Sequence, residues 1–163
     1  MTDFLWINLF RRKKKSDSLN SKLKENFLFQ DLSLGELRML EQIVHVRNYR
    51  PGETIFKQGE LGVGMYIIMK GRVNIYSEEI EAISSETKTH LVTQLQQDDF
   101  LGDLALVEEN SRRSATAVAQ EDSTLIGFFK PDLVEVTKRK PGAGVKILFR
   151  LAEVLGGRLR ETT

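Results

Sequence analysis

Residues 100–118 read FLGDLALVEENSRRSATAV, and the rest of the chain is arranged around them. A glycine (Gly102), a carboxylate (Asp103) and a short apolar turn (Leu104, Ala105, Leu106) precede a polar loop. An arginine then stands before small residues (Arg113, Ser114, Ala115, Thr116). Glycine lets the backbone approach a ligand closely. A helical turn opening there would present main-chain N–H groups that have no partner inside the helix, and such groups attract anions. An arginine returning on the next strand grips an anion with two parallel N–H donors. Asp103 has the wrong sign for a phosphate but suits a sugar hydroxyl, as carboxylates do in dinucleotide sites. Together these parts predict a small ligand that carries both phosphate and ribose.

Outward from this stretch the chain punctuates short runs with turn residues. Pro51-Gly52, Gly59, Gly62, Gly64 and Gly71 separate segments rich in β-branched and aromatic residues. Regular turn signals between short strands predict an all-β sandwich or barrel. Strands are expected at 55–56, 65–69, 73–76, 89–95 and 123–130, with Lys70-Gly71 as a tight turn. The polar, acidic stretch 77–88 reads as a long hairpin loop. Helices flank the strands. Ser33 and Glu36 form an S-x-x-E capping box that opens a helix running to about His45, with Leu34, Leu37, Leu40, Ile43 and Val44 at helical spacing. Pro131 suits the first turn of another helix, and Lys140-Pro141-Gly142 breaks it. A longer amphipathic helix is expected over 145–159, with Leu148, Leu151, Leu155 and Leu159 along one stripe that suits either a core or a helix–helix seam.

The 100–118 stretch, with Arg113 in register and the glycine-rich run YRPGETIFKQGELGVGMYIIMKGRVNIY upstream, resembles the phosphate-binding cassette of the cyclic-nucleotide-binding domain family. The resemblance runs from about Phe27 to the C-terminus. It implies a mainly β fold with flanking helices: a double-stranded β-helix, or jelly-roll-like β-roll, with an N-terminal helix and two C-terminal helices. It implies one domain over 27–163 after an apolar and basic segment over 1–26. It places Arg113 on a cyclic phosphate and Asp103 on the ribose 2′-hydroxyl of cAMP or cGMP, with main-chain groups of Gly102, Leu104 and Ala105 completing the cradle. Ser114 and Ala115 fall at small positions beside the phosphate. Ile75, Val92, Leu95 and Leu101 would wall the base, with Thr93 a polar neighbour. Two departures stand out: the family usually has glutamate at Asp103 and glycine at Asp98. The shorter carboxylate reaches roughly 1.5 Å less far, whereas aspartate tolerates left-handed geometry, so the turn at Asp98 is expected to survive.

Composition narrows the remaining choices. The 163 residues suit one soluble domain, 40% apolar and 29% charged, and a net charge of +1 argues against a general polyanion binder. There is no cysteine, hence no disulfide or thiolate chemistry. No apolar run approaches the ~20 residues of a bilayer span. Residues 3–10 read DFLWINLF, followed by Arg11, Arg12, Lys13, Lys14 and Lys15. Phe4, Trp6 and Phe10 with this basic run would make a weak contact at a membrane surface. A tail docking on its own domain or a sister subunit is the simpler reading, since one short signal gives only marginal attachment. A cytoplasmic module, at most peripheral to the membrane, is expected.

His45 and His90 lack metal-ligand spacing, and no nucleophile motif joins the serines, histidines and aspartates, so neither an enzyme nor a metal site is expected. No helix-turn-helix follows the long helix, so DNA contact is not expected. Two functional readings remain. One is a stand-alone regulatory sensor that binds a cyclic mononucleotide and signals to an effector through its C-terminal helices, where a homodimer could also form. The other is a ligand-free interaction or scaffold module of the same fold. Many superfold members keep the architecture without the ligand.

Overall fold

Eight strands form two antiparallel sheets in the computed structural model of this protein, which describes residues 19–162. The strands are β1 (His45–Tyr49), β2 (Thr54–Phe56), β3 (Gly64–Lys70), β4 (Val73–Ile80), β5 (Thr87–Leu95), β6 (Phe100–Leu101), β7 (Thr116–Ala119) and β8 (Ser123–Phe129). One sheet has the order β1-β8-β3-β6 and the other β2-β7-β4-β5. The helices are α1 (Leu34–Ile43), α2 (Lys130–Arg139) and α3 (Pro141–Thr162), and residues 19–25 are also helical. This is the mainly β roll with flanking helices that the sequence predicts. The membrane-contact candidates Phe4, Trp6, Phe10 and Arg11 to Lys15 lie outside the described residues.

The chain divides into two compact units, one of residues up to Ile43 together with Val136–Thr163, the other Val44–Glu135. The second unit holds both sheets. Its central strands β3 and β8 are buried along nearly their whole length, which is why they read as continuous apolar runs (GMYIIMK, STLIGFF) rather than alternating ones. Tyr66, Ile68, Val73, Leu101, Ala117 and Leu125 form its core cluster, with Phe56, Ile75, Leu95 and Phe129 packed against it.

Two local expectations are corrected. The first helix ends at Ile43, and His45 begins β1, where its Nε2 lies 3.1 Å from Asp132 Oδ2 rather than at a helix terminus. β1 was not legible because four of its five residues are exposed, leaving no apolar alternation. The stretch 77–88 is not one long loop. β4 continues to Ile80 and β5 begins at Thr87, paired through Ile80↔Thr87. Beyond Tyr76, β4 has only β5 as a ladder partner, and Glu78, Glu79 and Ile80 are exposed.

In the first unit the capping box forms as read. Ser33 N–H donates to Glu36 Oε1 (2.8 Å) and Glu36 N–H to Ser33 Oγ (3.2 Å). Lys146 Nζ on α3 donates to the same Glu36 Oε1 at 2.7 Å, and Arg150 grips Asp31 through Nε (2.7 Å) and Nη2 (3.0 Å). The buried stripe of α3 is Ala143, Ile147 and Leu151, one helical repeat apart. Of the expected stripe only Leu151 is buried; Leu148 and Leu159 are exposed.

Candidate functional site

Strand β6 lies against β3 with Leu101 opposite Tyr66, and this pairing carries the following turn to the mouth of the roll. The turn before β6 needs a left-handed residue, and Asp98 supplies it at φ +76°, its N–H donating to Ile68 O at 2.9 Å. Gly102 then adopts φ +78° and starts a short 3₁₀ turn over Asp103–Leu106. An L side chain is disfavoured there, and a Cβ would also collide with Nη1 of Arg113. Gly62, in the loop before β3, faces the same guanidinium. A Cβ on it would stand 3.1 Å from Arg113 Cζ and 2.9 Å from the Ala105 Cβ.

Arg113 is fixed from both sides of its backbone. Its N–H donates to Glu60 O and its carbonyl accepts from Gly59 N–H, each at 2.8 Å. The side chain turns inward and is only 8% exposed. Nη2 donates to Gly64 O at 2.7 Å and Nη1 to Gly102 O at 3.4 Å. The guanidinium carbon sits 4.2 Å from the centroid of the Phe56 ring. Burial pushes the guanidinium below its ordinary pKa, and Tyr66 and Glu60 act in the opposite direction; it remains a cation. Two of its N–H donors thus bond main-chain carbonyls.

The other sequence-derived positions fall as follows. Asp103 is 1% exposed; its Oδ2 is a buried oxygen without a hydrogen bond, while the residue is held by other interactions. Ala105 N–H donates to Gly102 O at 3.2 Å, which closes the turn and engages one donor of the expected cradle. Leu104 is exposed, Ser114 is exposed and Ala115 half-buried. Ile75, Leu95 and Leu101 come together in the core cluster, with Thr93 directly opposite Ile75 across the β4–β5 ladder. Val92 stands apart. It falls at the ladder irregularity where Ile75↔Thr93 steps to Tyr76↔Leu91, and it is 59% exposed. Arg112 is exposed and donates to Gly59 O at 2.9 Å.

Sequence reasoning missed Phe56 and Gly62 as parts of this arrangement. The available signal was the spacing Gly59, Gly62, Gly64, read as turn punctuation when Gly62 in fact leaves room for an arginine.

The family model described as "Cyclic nucleotide-binding domain" matches residues 46–140. The chain belongs to the cyclic nucleotide-binding domain family. The match covers β1 through the end of α2, including every element that positions Arg113. This domain is 31% identical over 145 residues to the cyclic AMP receptor protein of Thermus thermophilus, covering 85% of this chain and 60% of that protein. It is 33% identical over 105 residues to the cAMP-dependent protein kinase regulatory subunit of Debaryomyces hansenii, covering 64% of this chain and 21% of that one. The crystal structure of Thermus thermophilus catabolite activator protein superposes with a TM-score of 0.69 at 29% identity, over 84% of this chain and 60% of that one. The chain therefore spans at most about three fifths of these relatives. Among the described residues no group of side chains could hold a metal ion, and no helix is long and apolar enough to cross a membrane.

Proposed function

We propose that this chain is a regulatory sensor module that binds a cyclic mononucleotide, cAMP or cGMP, and that its role is binding rather than catalysis. The observation that carries the reading is a buried arginine, 8% exposed, whose N–H groups bond main-chain carbonyls at Gly64 and at Gly102, where the 3₁₀ turn begins. Removing a charge from water is costly, and a singly charged cyclic phosphate would offset part of that cost. Arg113 has five N–H donors, and its two hydrogen bonds leave others for an oxyanion. Gly102 brings the main chain close, and Asp103 is the acceptor proposed for the ribose hydroxyl. Ile75, Val92, Leu95 and Leu101, with Thr93, would receive the base, while Ser114 and Ala115 border the phosphate. The cAMP-related names of the relatives support this ligand class.

The signal would pass to an effector through α2 and α3, and a nucleotide can drive that only by binding one arrangement better than another. Val145, Leu148, Ala152, Leu155 and Leu159 repeat at three- and four-residue intervals along α3, and Val145, Leu148 and Leu159 are exposed. That spacing suits a seam with a second copy of the chain.

Calorimetry with cAMP and with cGMP on wild type and Arg113→Ala tests the sensor reading. Wild type is expected to bind at least one nucleotide, and the variant about a hundredfold more weakly. Equal heats for the two proteins would remove Arg113 from the site. A ligand-free scaffold module is the second reading. It is favoured by the two Arg113 donors already engaged with Gly64 and Gly102, and a melting temperature indifferent to both nucleotides would establish it.

A further inference from the structure

Phe56 was assigned no role by its sequence context, where it reads as the end of a short apolar strand. In the structure its ring lies beneath the guanidinium of Arg113, with the Arg113 Cζ 4.2 Å from the ring centroid. A guanidinium seated over an aromatic ring still has its N–H groups available for hydrogen bonds. The two edge bonds, to Gly64 O and Gly102 O, come from separate nitrogens. The ring contact and the two hydrogen bonds together restrain the group.

Phe56 is itself held. Tyr66 packs against it with ring centroids 6.3 Å apart and planes at 30°, and Phe129 meets Tyr66 edge-on at 5.7 Å and 76°. Phe56 also pairs through its backbone with Ala117, on the strand that begins three residues after Arg113. The ring is therefore tied to the strand that follows the Arg113 loop and is packed by Tyr66 from the other sheet. An aliphatic side chain would fill much of this space but would present no negative π face to the cation.

We infer that Phe56 is the positioning residue of the ligand site: its ring sets the plane of the Arg113 guanidinium so that the free N–H edge meets the anionic oxygens of the ligand. This inference rests on the sensor reading above. It adds that affinity for the phosphate depends on an aromatic ring at position 56. The ring acts through Arg113 and not on the base, so its removal weakens cAMP and cGMP by the same factor.

The test uses the full chain and compares wild type with Phe56→Leu, Phe56→Tyr and Ile126→Val. Ile126 is fully buried in β8 and outside the Phe56 cluster, so its variant reports a packing defect alone. Binding of cAMP and of cGMP is measured by calorimetry, and melting temperature without ligand. Phe56→Leu is expected to lose about tenfold in affinity for each nucleotide that wild type binds, Phe56→Tyr to recover nearly all of it, and Ile126→Val to stay within about twofold of wild type. The ligand-free melting losses of Phe56→Leu and Arg113→Met should sum to more than the loss of the double variant, because both remove one contact. Wild type that binds a nucleotide while Phe56→Leu binds it equally well overturns this inference alone. So does failure of Phe56→Tyr to recover affinity while its melting temperature matches wild type. Wild type that binds neither nucleotide overturns the sensor reading, and this inference with it.

Discussion

Gly102 and Arg113 are shaped to each other: Gly102 stands at φ +78°, its carbonyl accepts from Arg113 Nη1 at 3.4 Å, and a Cβ at this position would occupy the place of that nitrogen. Gly102→Ala therefore meets two penalties. The left-handed backbone costs roughly 1 kcal/mol for a non-glycine residue, and the guanidinium must move off its bonds. A melting temperature lower by about 3–6 °C is expected at this chain length, together with nucleotide affinity reduced at least as far as in Phe56→Leu. Thermal unfolding and calorimetry on the same variant check both. Normal affinity in a destabilised Gly102→Ala protein would show that the glycine serves the fold alone.

The cap of α1 offers a cleaner stability measurement. Ser33 Oγ accepts from Glu36 N–H at 3.2 Å, and no candidate ligand residue touches this pair. Ser33→Ala is expected to cost about 1 kcal/mol, seen as a melting temperature lower by about 2–4 °C. Nucleotide affinity should be unchanged in calorimetry, which makes this variant a stability control for the site variants.

Much of the roll was legible because its decisive features are local. The run MYIIM in β3 is apolar throughout because β3 lies between β8 and β6 and is buried on both faces. The S-x-x-E box, the Lys70-Gly71 turn and the break at Pro141 each depend on a few adjacent residues. The β1 strand HVRNY was hidden because it sits at a sheet edge with most side chains in solvent, and the last residues of β4 and the first two of β5 were hidden because that end of the ladder is exposed. In the cassette, Gly102 and Arg113 could be read as partners of one anion since they lie in one stretch. The Gly64 carbonyl and the Phe56 ring could not, because long-range pairing of β2, β3 and β7 brings them to the arginine. The α3 stripe misled for a different reason. Leucines at three- and four-residue spacing mark a face, but which face meets the core is decided by neighbours that periodicity does not name.

Acid should loosen the first unit through Glu36 and Asp31. Burial tends to raise the Glu36 carboxyl, but the Lys146 ammonium and the Ser33 bonds outweigh it and hold the group below the ordinary glutamate value. Asp31 is held below its ordinary value chiefly by its bond to Arg150. A carboxyl whose folded pKa is depressed adds stability above its unfolded value and loses it as pH falls through the folded one. Melting temperature is therefore expected to be flat with respect to these groups above about pH 5 and to fall below about pH 4.5. Glu36→Gln removes one of the two titrations, so its melting curve should start lower at neutral pH and decline less steeply in acid. A variant whose acid slope equals that of wild type would show that Glu36 carries none of the dependence.

The last prediction concerns the outer face of α3. The buried residues Ala143, Ile147 and Leu151 define its inner stripe, whereas Val145, Leu148 and Leu159 are exposed and alternate with Ala152 and Leu155 at intervals of three and four. A helix in water gains nothing from presenting leucines at these positions, and a seam against a second α3 would bury them. Leu155→Glu would place like charges face to face across a two-fold seam, and burying an unpaired carboxylate there costs several kcal/mol. Light scattering on wild type is expected to give twice the mass of the chain at micromolar concentration, and Leu155→Glu the mass of one chain. Leu155 is only half-buried, so the variant should keep its fold, with circular dichroism and melting close to those of a wild-type monomer at high dilution. If nucleotide binding shifts α3, the dimer and the ligand must also be linked, each changing the affinity for the other by the same factor. Wild type should then dimerise differently with and without saturating nucleotide, and the Leu155→Glu monomer should bind nucleotide with altered affinity. A wild-type protein that stays monomeric up to about 100 μM, a concentration at which seams even ten times weaker than micromolar would be filled, would leave the exposed stripe without a second copy to cover it.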